Sequence, residues 1–356
     1  MQIYNVYLCY CYMISIKNLS HYLFVSFVLV VILFYGQNIL IPFVFALLLW
    51  FIVKQIRGFM ERAPFIKNKT PMWLKNWVAT IILLVSLNAL LKIVMHNVTL
   101  LSHSYQKYQN NTSIIIQKIS TKLNPEILEQ LNAFLTQYNF AETVLSLFNY
   151  STNFLSNLFL VIIYALFIFL EEPSFQNKIS LLFPNTQNKQ SILNVFNKIN
   201  DSISKYLGLK TFVSVLTGLF SWLALLFLGV DFPVFWAFLI FLLHYIPTIG
   251  SLIATVFPSI FSCLQYGELL PGVWVLLLVG AIQFIIGNLL EPKLMGNSVN
   301  LSPLIIILSL SFWGSIWGIT GMLLSVPIMA IIVIILSKFP KTKPIAILLS
   351  ANGIPE

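Results

Sequence analysis

Charged side chains are scarce in this chain. Of its 356 residues only 9% are Asp, Glu, Lys or Arg, where a soluble protein carries roughly 25%. That scarcity excludes an ordinary water-exposed surface. Cysteine is nearly absent too. Cys9, Cys11 and Cys263 are an odd set, which excludes a disulfide framework, and Cys9-x-Cys11 lacks the second ligand pair of a zinc site. His96 and His103 have no third ligand beside them. No phosphate-binding glycine loop and no nucleophile–base–acid arrangement can be read. An enzyme, a resident cofactor or metal, and ATP-driven transport by this polypeptide are therefore not expected. A strand-by-strand barrel needs strict alternation over about 10 residues, and continuous runs such as 28–33 and 304–308 lack it.

What is present is apolar and arranged in blocks. Hydrophobic residues make up 58% of the chain, and the mean hydropathy is +0.89. Many runs approach the length of about 20 residues that a helix needs to cross a bilayer. The fold class expected is all-α: a polytopic helical membrane protein with about six full spans and two broken helical hairpins. The net charge of +9 fits Lys and Arg gathered in cytoplasmic loops better than it fits a nucleic-acid surface.

In chain order, residues 1–20 are an aromatic leader without the basic start of a signal peptide, and Met13 is an alternative start. The block 21–96 holds three spans. The first two form a hairpin turning at Gly36-Gln37-Asn38, and a basic loop, 54–75, precedes the third. Residues 97–152 are polar, with charges balanced and apolar residues recurring at helical spacing, as in Ile116, Ile119 and Leu123. They read as amphipathic helices on the outer side. The block 153–337 reads as the transmembrane core. It includes a second basic segment, 171–210, in which Ile192, Val195, Phe196, Ile199 and Ile203 share one helical face. That face suits either an interfacial helix or one packed on the ends of its neighbours. Residues 338–356 form a tail. Sixteen of the 20 basic residues then fall on one side, which places both termini in the cytoplasm of a cell whose inner membrane the chain crosses.

Two places break the pattern. Phe232–Tyr245 spans only about 20 Å as helix, and Ile246-Pro247-Thr248-Ile249-Gly250 follows before a second short run containing Pro258. This pair reads as a re-entrant hairpin or a distorted full one. A span over 270–290, carrying Gln283 and Asn288, then ends at Glu291-Pro292-Lys293. Beyond it a run opens at Pro303, is interrupted by Gly314, Gly318 and Gly321, and carries Pro327 in its second half. Glycine and proline break helices, and in hydrocarbon such breaks survive only where protein or a watery cavity satisfies the freed backbone.

Each of these residues has a plainer role as well. Glu291 and Lys293 suit an ion pair in a cavity or a helix end at the headgroups, with Pro292 as a simple stop. Gln283 and Asn288 suit substrate contacts or amide contacts between helices, and Gly314-x-x-x-Gly318 suits helix packing. His244 could titrate near neutral pH, although a lone histidine is more often structural. Asp231 and Glu268 read as surface residues flanking the first break. Pro247, Gly250, Gly314, Gly318 and Gly321 are the expected hairpin tips, entering from opposite sides and meeting around a shared polar cavity, with Gln283 and Glu291 beside it.

The order Ile246-Pro247-Thr248-Ile249-Gly250, Pro258, Gly267, Gln283, Asn288, Glu291-Pro292-Lys293, Gly296, Leu301-Ser302-Pro303, Gly314, Gly318, Gly321, Val326-Pro327 resembles that of the autoinducer-2 exporter family of bacterial permease-like transporters. The N-terminal half is similar in layout only, and the aromatic leader differs. The resemblance implies a transporter, with export of the furanone autoinducer-2 as the namesake activity, and the first reading is a secondary transporter exporting a small polar organic molecule. A cation/proton antiporter is the alternative within transport, and a membrane scaffold or sensor acting through the outer region is the alternative outside it. The partners expected are the lipid bilayer, a small-molecule substrate and a coupling proton or sodium ion. A homo-oligomer is compatible with all three readings, and nucleic acid is not expected.

Overall fold

The computed structural model describes residues 16–60, 159–172, 186–296 and 300–353, together with scattered residues between 74 and 182. Most of the third span and of the outer region therefore lies outside the described residues. The described segments are helical. They comprise α1 (Ile16–Tyr35), α2 (Gln37–Met60), α3 (Thr186–Phe227), α4 (Pro233–Leu243), α5 (Ile249–Tyr266), α6 (Leu269–Phe284), a π-helical segment (Ile285–Leu290), α7 (Glu291–Met295), α8 (Pro303–Lys338) and α9 (Lys343–Leu349). Among the described residues five helices are long and apolar enough to cross a membrane, and the apolar stretches Leu23–Tyr35 and Pro233–Leu243 are shorter. The chain is thus the polytopic all-α membrane protein that its composition requires.

The α1–α2 turn falls at Gly36, which donates its amide to Ile32 O at 2.8 Å. The basic segment before Lys210 and the span after it are not separate elements. They are one 42-residue helix, α3, because nothing between Lys205 and Thr211 interrupts helical backbone bonding. The face carrying Phe196, Ile199 and Ile203 is packed rather than interfacial. It joins Tyr206, Leu207, Leu48, Trp313 and Trp317 in the largest hydrophobic cluster among the described residues.

Both expected breaks are present, and at each the chain doubles back. Between α4 and α5 the turn carries Thr248 at φ 57°, a left-handed conformation that is costly for a β-branched residue. Its return requires Gly250, since a Cβ there would lie 1.9 Å from Leu243 O. In α8 the break is at Gly318, with φ 61° and ψ −142°. A Cβ on Gly321 would lie 1.9 Å from Trp313 O, and one on Gly314 would press on Met322 at 3.0 Å. The two hairpins close by the same device, a glycine early in the second arm seated on a carbonyl late in the first.

The hairpins pack on different neighbours. The α4–α5 hairpin sits against α3 and α6, with Trp236, Ile240, Phe261 and Val275 in its core. The tip of α8 sits against α1, α2 and α3, and Trp317 Nε1 donates to Leu33 O at 2.9 Å. The segment after α9 returns to the base of α8, where Ser302 N donates to Leu349 O at 3.0 Å and Ala351 N to Asn300 Oδ1 at 3.1 Å.

Candidate functional site

The helix that follows the first hairpin does not keep a regular α register. After Phe284 it widens into six π-helical residues, Ile285–Leu290. Such segments are rare and occur mostly at functional sites, because they change the phase of the side chains beyond them. Gly287, lacking a Cβ, sits within the widened turns. Gln283, Gly287 and Glu291, spaced four apart, all line one cavity of about 650 Å³.

Three charged or chargeable groups from three elements meet at one end of it. Lys210, from the middle of α3, donates from Nζ to Glu291 Oε1 at 2.5 Å. His244, capping α4, brings Nε2 to 3.1 Å from Glu291 Oε2, and among the described residues neither ring nitrogen completes an aligned hydrogen bond. Lys210 and His244 are buried, at 3% and 4% exposure. An unpaired charge in a membrane helix is costly, and the Lys210–Glu291 pair cancels it locally. Tyr206, on the turn of α3 before Lys210, lies within electrostatic range of Glu291.

A second set of hydrogen bonds fixes the cavity wall. Gln283 Nε2 donates to Thr255 Oγ1 at 2.9 Å, and Thr255 Oγ1 donates to Ser251 O at 2.8 Å. The Thr255 hydroxyl proton is thereby committed, so Thr255 can only accept from Gln283. This sets which way the amide lies and leaves Gln283 Oε1 without a partner among the described residues. Opposite, Tyr245 Oη donates to Thr211 Oγ1 at 2.7 Å, tying the hairpin turn to α3.

The opposite end of the hairpin is clamped. Gln265 accepts from Asp231 N at 2.7 Å and donates to Gly229 O at 2.8 Å. From the region expected outside, Tyr108 Oη donates to Asp231 Oδ2 at 2.9 Å, and Asn111 Nδ2 donates to Leu264 O and Gln265 O. Asp231 is thus a structural anchor.

Of the residues singled out in the sequence, Pro247, Gln283, Asn288 and Glu291 line the cavity. Gly250 lies just behind it as the buried pivot of the tip. Pro292 and Lys293 are exposed at the start of α7, where Pro292 suits a first-turn position. Gly314, Gly318, Gly321 and Pro327 shape α8 and do not line this cavity. The second tip is held instead by Trp313 and Trp317 against α1, α2 and α3, so the two tips do not share this space. Lys210 went unrecognised in the sequence because it counted as one more basic residue of the segment 171–210. The signal was there: extending the face of Ile199 and Ile203 by helical steps reaches Tyr206, Leu207 and then Lys210.

The fold and site define a multi-pass helical membrane protein with a charge-paired cavity beside a doubled-back hairpin. The profile of the AI-2E family of transporters matches residues 22–341, and the chain belongs to that family, whose members are transporters rather than enzymes. It is 32% identical over 320 residues to the AI-2 transport protein TqsA of Escherichia coli K12, covering 89% of this chain and 90% of TqsA. It is 30% identical over 335 residues to a candidate transport protein of Borreliella burgdorferi, covering 92% of this chain and 90% of that protein.

Proposed function

We propose that this protein is a secondary transporter that exports a small polar organic molecule, autoinducer-2 being the first candidate, through the cavity between α3, the first hairpin and the π segment. The observation that carries this reading is the Lys210–Glu291–His244 cluster at the end of a 650 Å³ space, a volume typical of small-molecule sites. Lys210, Gln283 and Asn288 supply hydrogen-bonding groups, and the turn Ile246–Gly250 supplies a movable wall. The likeness to TqsA supports the choice of candidate. Among the described residues a single carboxylate, Glu291, lines the cavity, and it is already engaged by Lys210. This favours an organic solute over a cation as cargo. A proton or sodium ion remains the natural coupling partner, and the inner membrane, with both termini cytoplasmic, the natural location.

The experiment is solute flux in proteoliposomes, with and without sodium and proton gradients, across a panel of small polar molecules including autoinducer-2. Gradient-dependent flux of an organic solute supports the reading. Cation-for-proton exchange without organic flux replaces it with the antiporter.

A further inference from the structure

His244 stands where the first hairpin meets the cavity. It caps α4, and its ring lines the cavity while remaining buried. Its Nε2 lies 3.1 Å from Glu291 Oε2. The other ring nitrogen, Nδ1, has no hydrogen-bond partner among the described residues. Gly287 faces this ring, and a Cβ there would lie 3.9 Å from Cε1, the carbon between the two nitrogens. The π segment thus sets a residue without a side chain against that edge of the ring. Four residues after His244, Thr248 has φ 57° and ψ −61°, a strained conformation that persists only while its surroundings hold it. His244 against Glu291 and Tyr245 Oη on Thr211 are contacts that tie this turn to its neighbours.

The titratable groups around this contact are Glu291 at the start of α7, Lys210 and Tyr206 on α3, and Tyr245 beside His244 in the chain. From α5, α6 and the π segment the polar groups lining the cavity are Ser251, Thr255, Gln283 and Asn288, none of which titrates near neutral pH. The ordinary titration ranges of a carboxyl, an ammonium and a phenol lie well away from neutrality, whereas that of histidine is near it. A hard metal cation needs several free oxygens, and both oxygens of Glu291 face nitrogen groups. A proton needs one lone pair, and Nδ1 offers one. The carbonyls at the end of α4 favour an imidazolium there, which offsets the charge of Lys210.

We propose that the coupling ion is a proton and that His244 carries it. This rests on the reading of the cavity as the path of the solute. Water in the cavity delivers the proton to Nδ1, while Nε2–H stays directed at Glu291 Oε2. The contact between imidazolium and carboxylate is stronger than the neutral one, so the proton draws the turn onto Glu291. Return of the proton to water frees the turn and restores the lone pair of Nδ1, which then accepts an O–H or N–H of the solute. One lone pair cannot serve both, so proton and solute exclude each other, as an exchange of one for the other requires.

The test has two arms, both on the full-length chain. The first is hydrogen exchange of the turn, residues 245–252, at pH 6 and pH 8, corrected for the intrinsic pH dependence of exchange. In the wild type the turn should exchange at least about threefold more slowly at pH 6, as the stronger contact requires. His244→Gln and Glu291→Gln should each remove that difference. The second arm is flux in proteoliposomes. An imposed proton gradient should drive the wild type and a sodium gradient should not, and the rate should rise from pH 6 to pH 8 as Nδ1 becomes free. Whatever flux His244→Gln retains should be independent of pH and of the proton gradient. A wild-type turn indifferent to pH, a pH response that survives in His244→Gln, or flux driven by sodium alone overturns the proposal. Should the wild type move no panel solute while its turn responds to pH through His244, the transport reading fails and the proton site is supported.

Discussion

Lys210 Nζ and Glu291 Oε1 are 2.5 Å apart although 81 residues separate them. The pair ties the middle of α3 to the end of the π segment, and His244 of the first hairpin completes the contact. Removing one member leaves the other charge buried, which costs more than removing both. Lys210→Met should therefore destabilise the protein by on the order of 3 kcal/mol. Lys210→Met combined with Glu291→Gln should recover at least half of that. Thermal unfolding in detergent measures both, and additive losses in the double variant would show that the pair does not couple.

The two hairpin glycines should be intolerant for a steric reason. Gly250→Ala and Gly321→Ala each place a Cβ 1.9 Å from a carbonyl oxygen, and each should lower stability by about 2 kcal/mol or more. Gly318→Ala should cost about 1–3 kcal/mol, because φ 61° with ψ −142° is a conformation nearly confined to glycine. Gly58→Ala is the control, with nothing within 4 Å, and should be neutral or slightly stabilising. Equal stability across all four variants would remove the case for close-packed tips.

Thr255→Val takes away the oxygen that accepts from Gln283 Nε2 and should cost about 1–3 kcal/mol by stranding the amide. It also frees the amide to turn, so solute affinity in a flux assay should fall several-fold. Gln283→Leu should lower affinity as much with a smaller stability loss. Unchanged affinity in both variants would place Gln283 in helix packing alone.

Asn111 bonds two carbonyls at the last turn of α5, where helix carbonyls lack internal partners. Asn111→Ala should cost about 1 kcal/mol and speed hydrogen exchange at Leu264–Tyr266. Unchanged exchange there would separate the outer region from the hairpin.

The orientation rests on the basic residues. Single cysteines at Ser104 and Lys67, both outside the described residues, should respond oppositely to an impermeant reagent in intact cells. Ser104→Cys should label and Lys67→Cys should not, and the reverse pattern would invert the topology.

The hairpins were legible in the sequence because each is announced by residues that helices reject, Pro247 with Gly250 and Gly314 with Gly318. Glu291 was legible because a carboxylate at the end of an apolar run needs a partner. That partner was not legible. Lys210 looked like its basic neighbours until α3 proved continuous, and the pairing depends on tertiary packing across 81 residues. The π segment carries no local signal beyond Gly287, since Ile285–Leu290 reads as ordinary apolar helix. The place of the second tip was misjudged for a similar reason. Its glycines predict a turn but not which side it packs on, and Trp313 and Trp317 decide that.

The central claim, that the Glu291 cavity is where solute is handled, is tested most directly by flux through reconstituted Glu291→Gln. At equal reconstituted amounts, the wild type should move at least one panel solute under a gradient, and Glu291→Gln should reduce that rate at least tenfold while inserting normally. Full transport by Glu291→Gln would contradict the account.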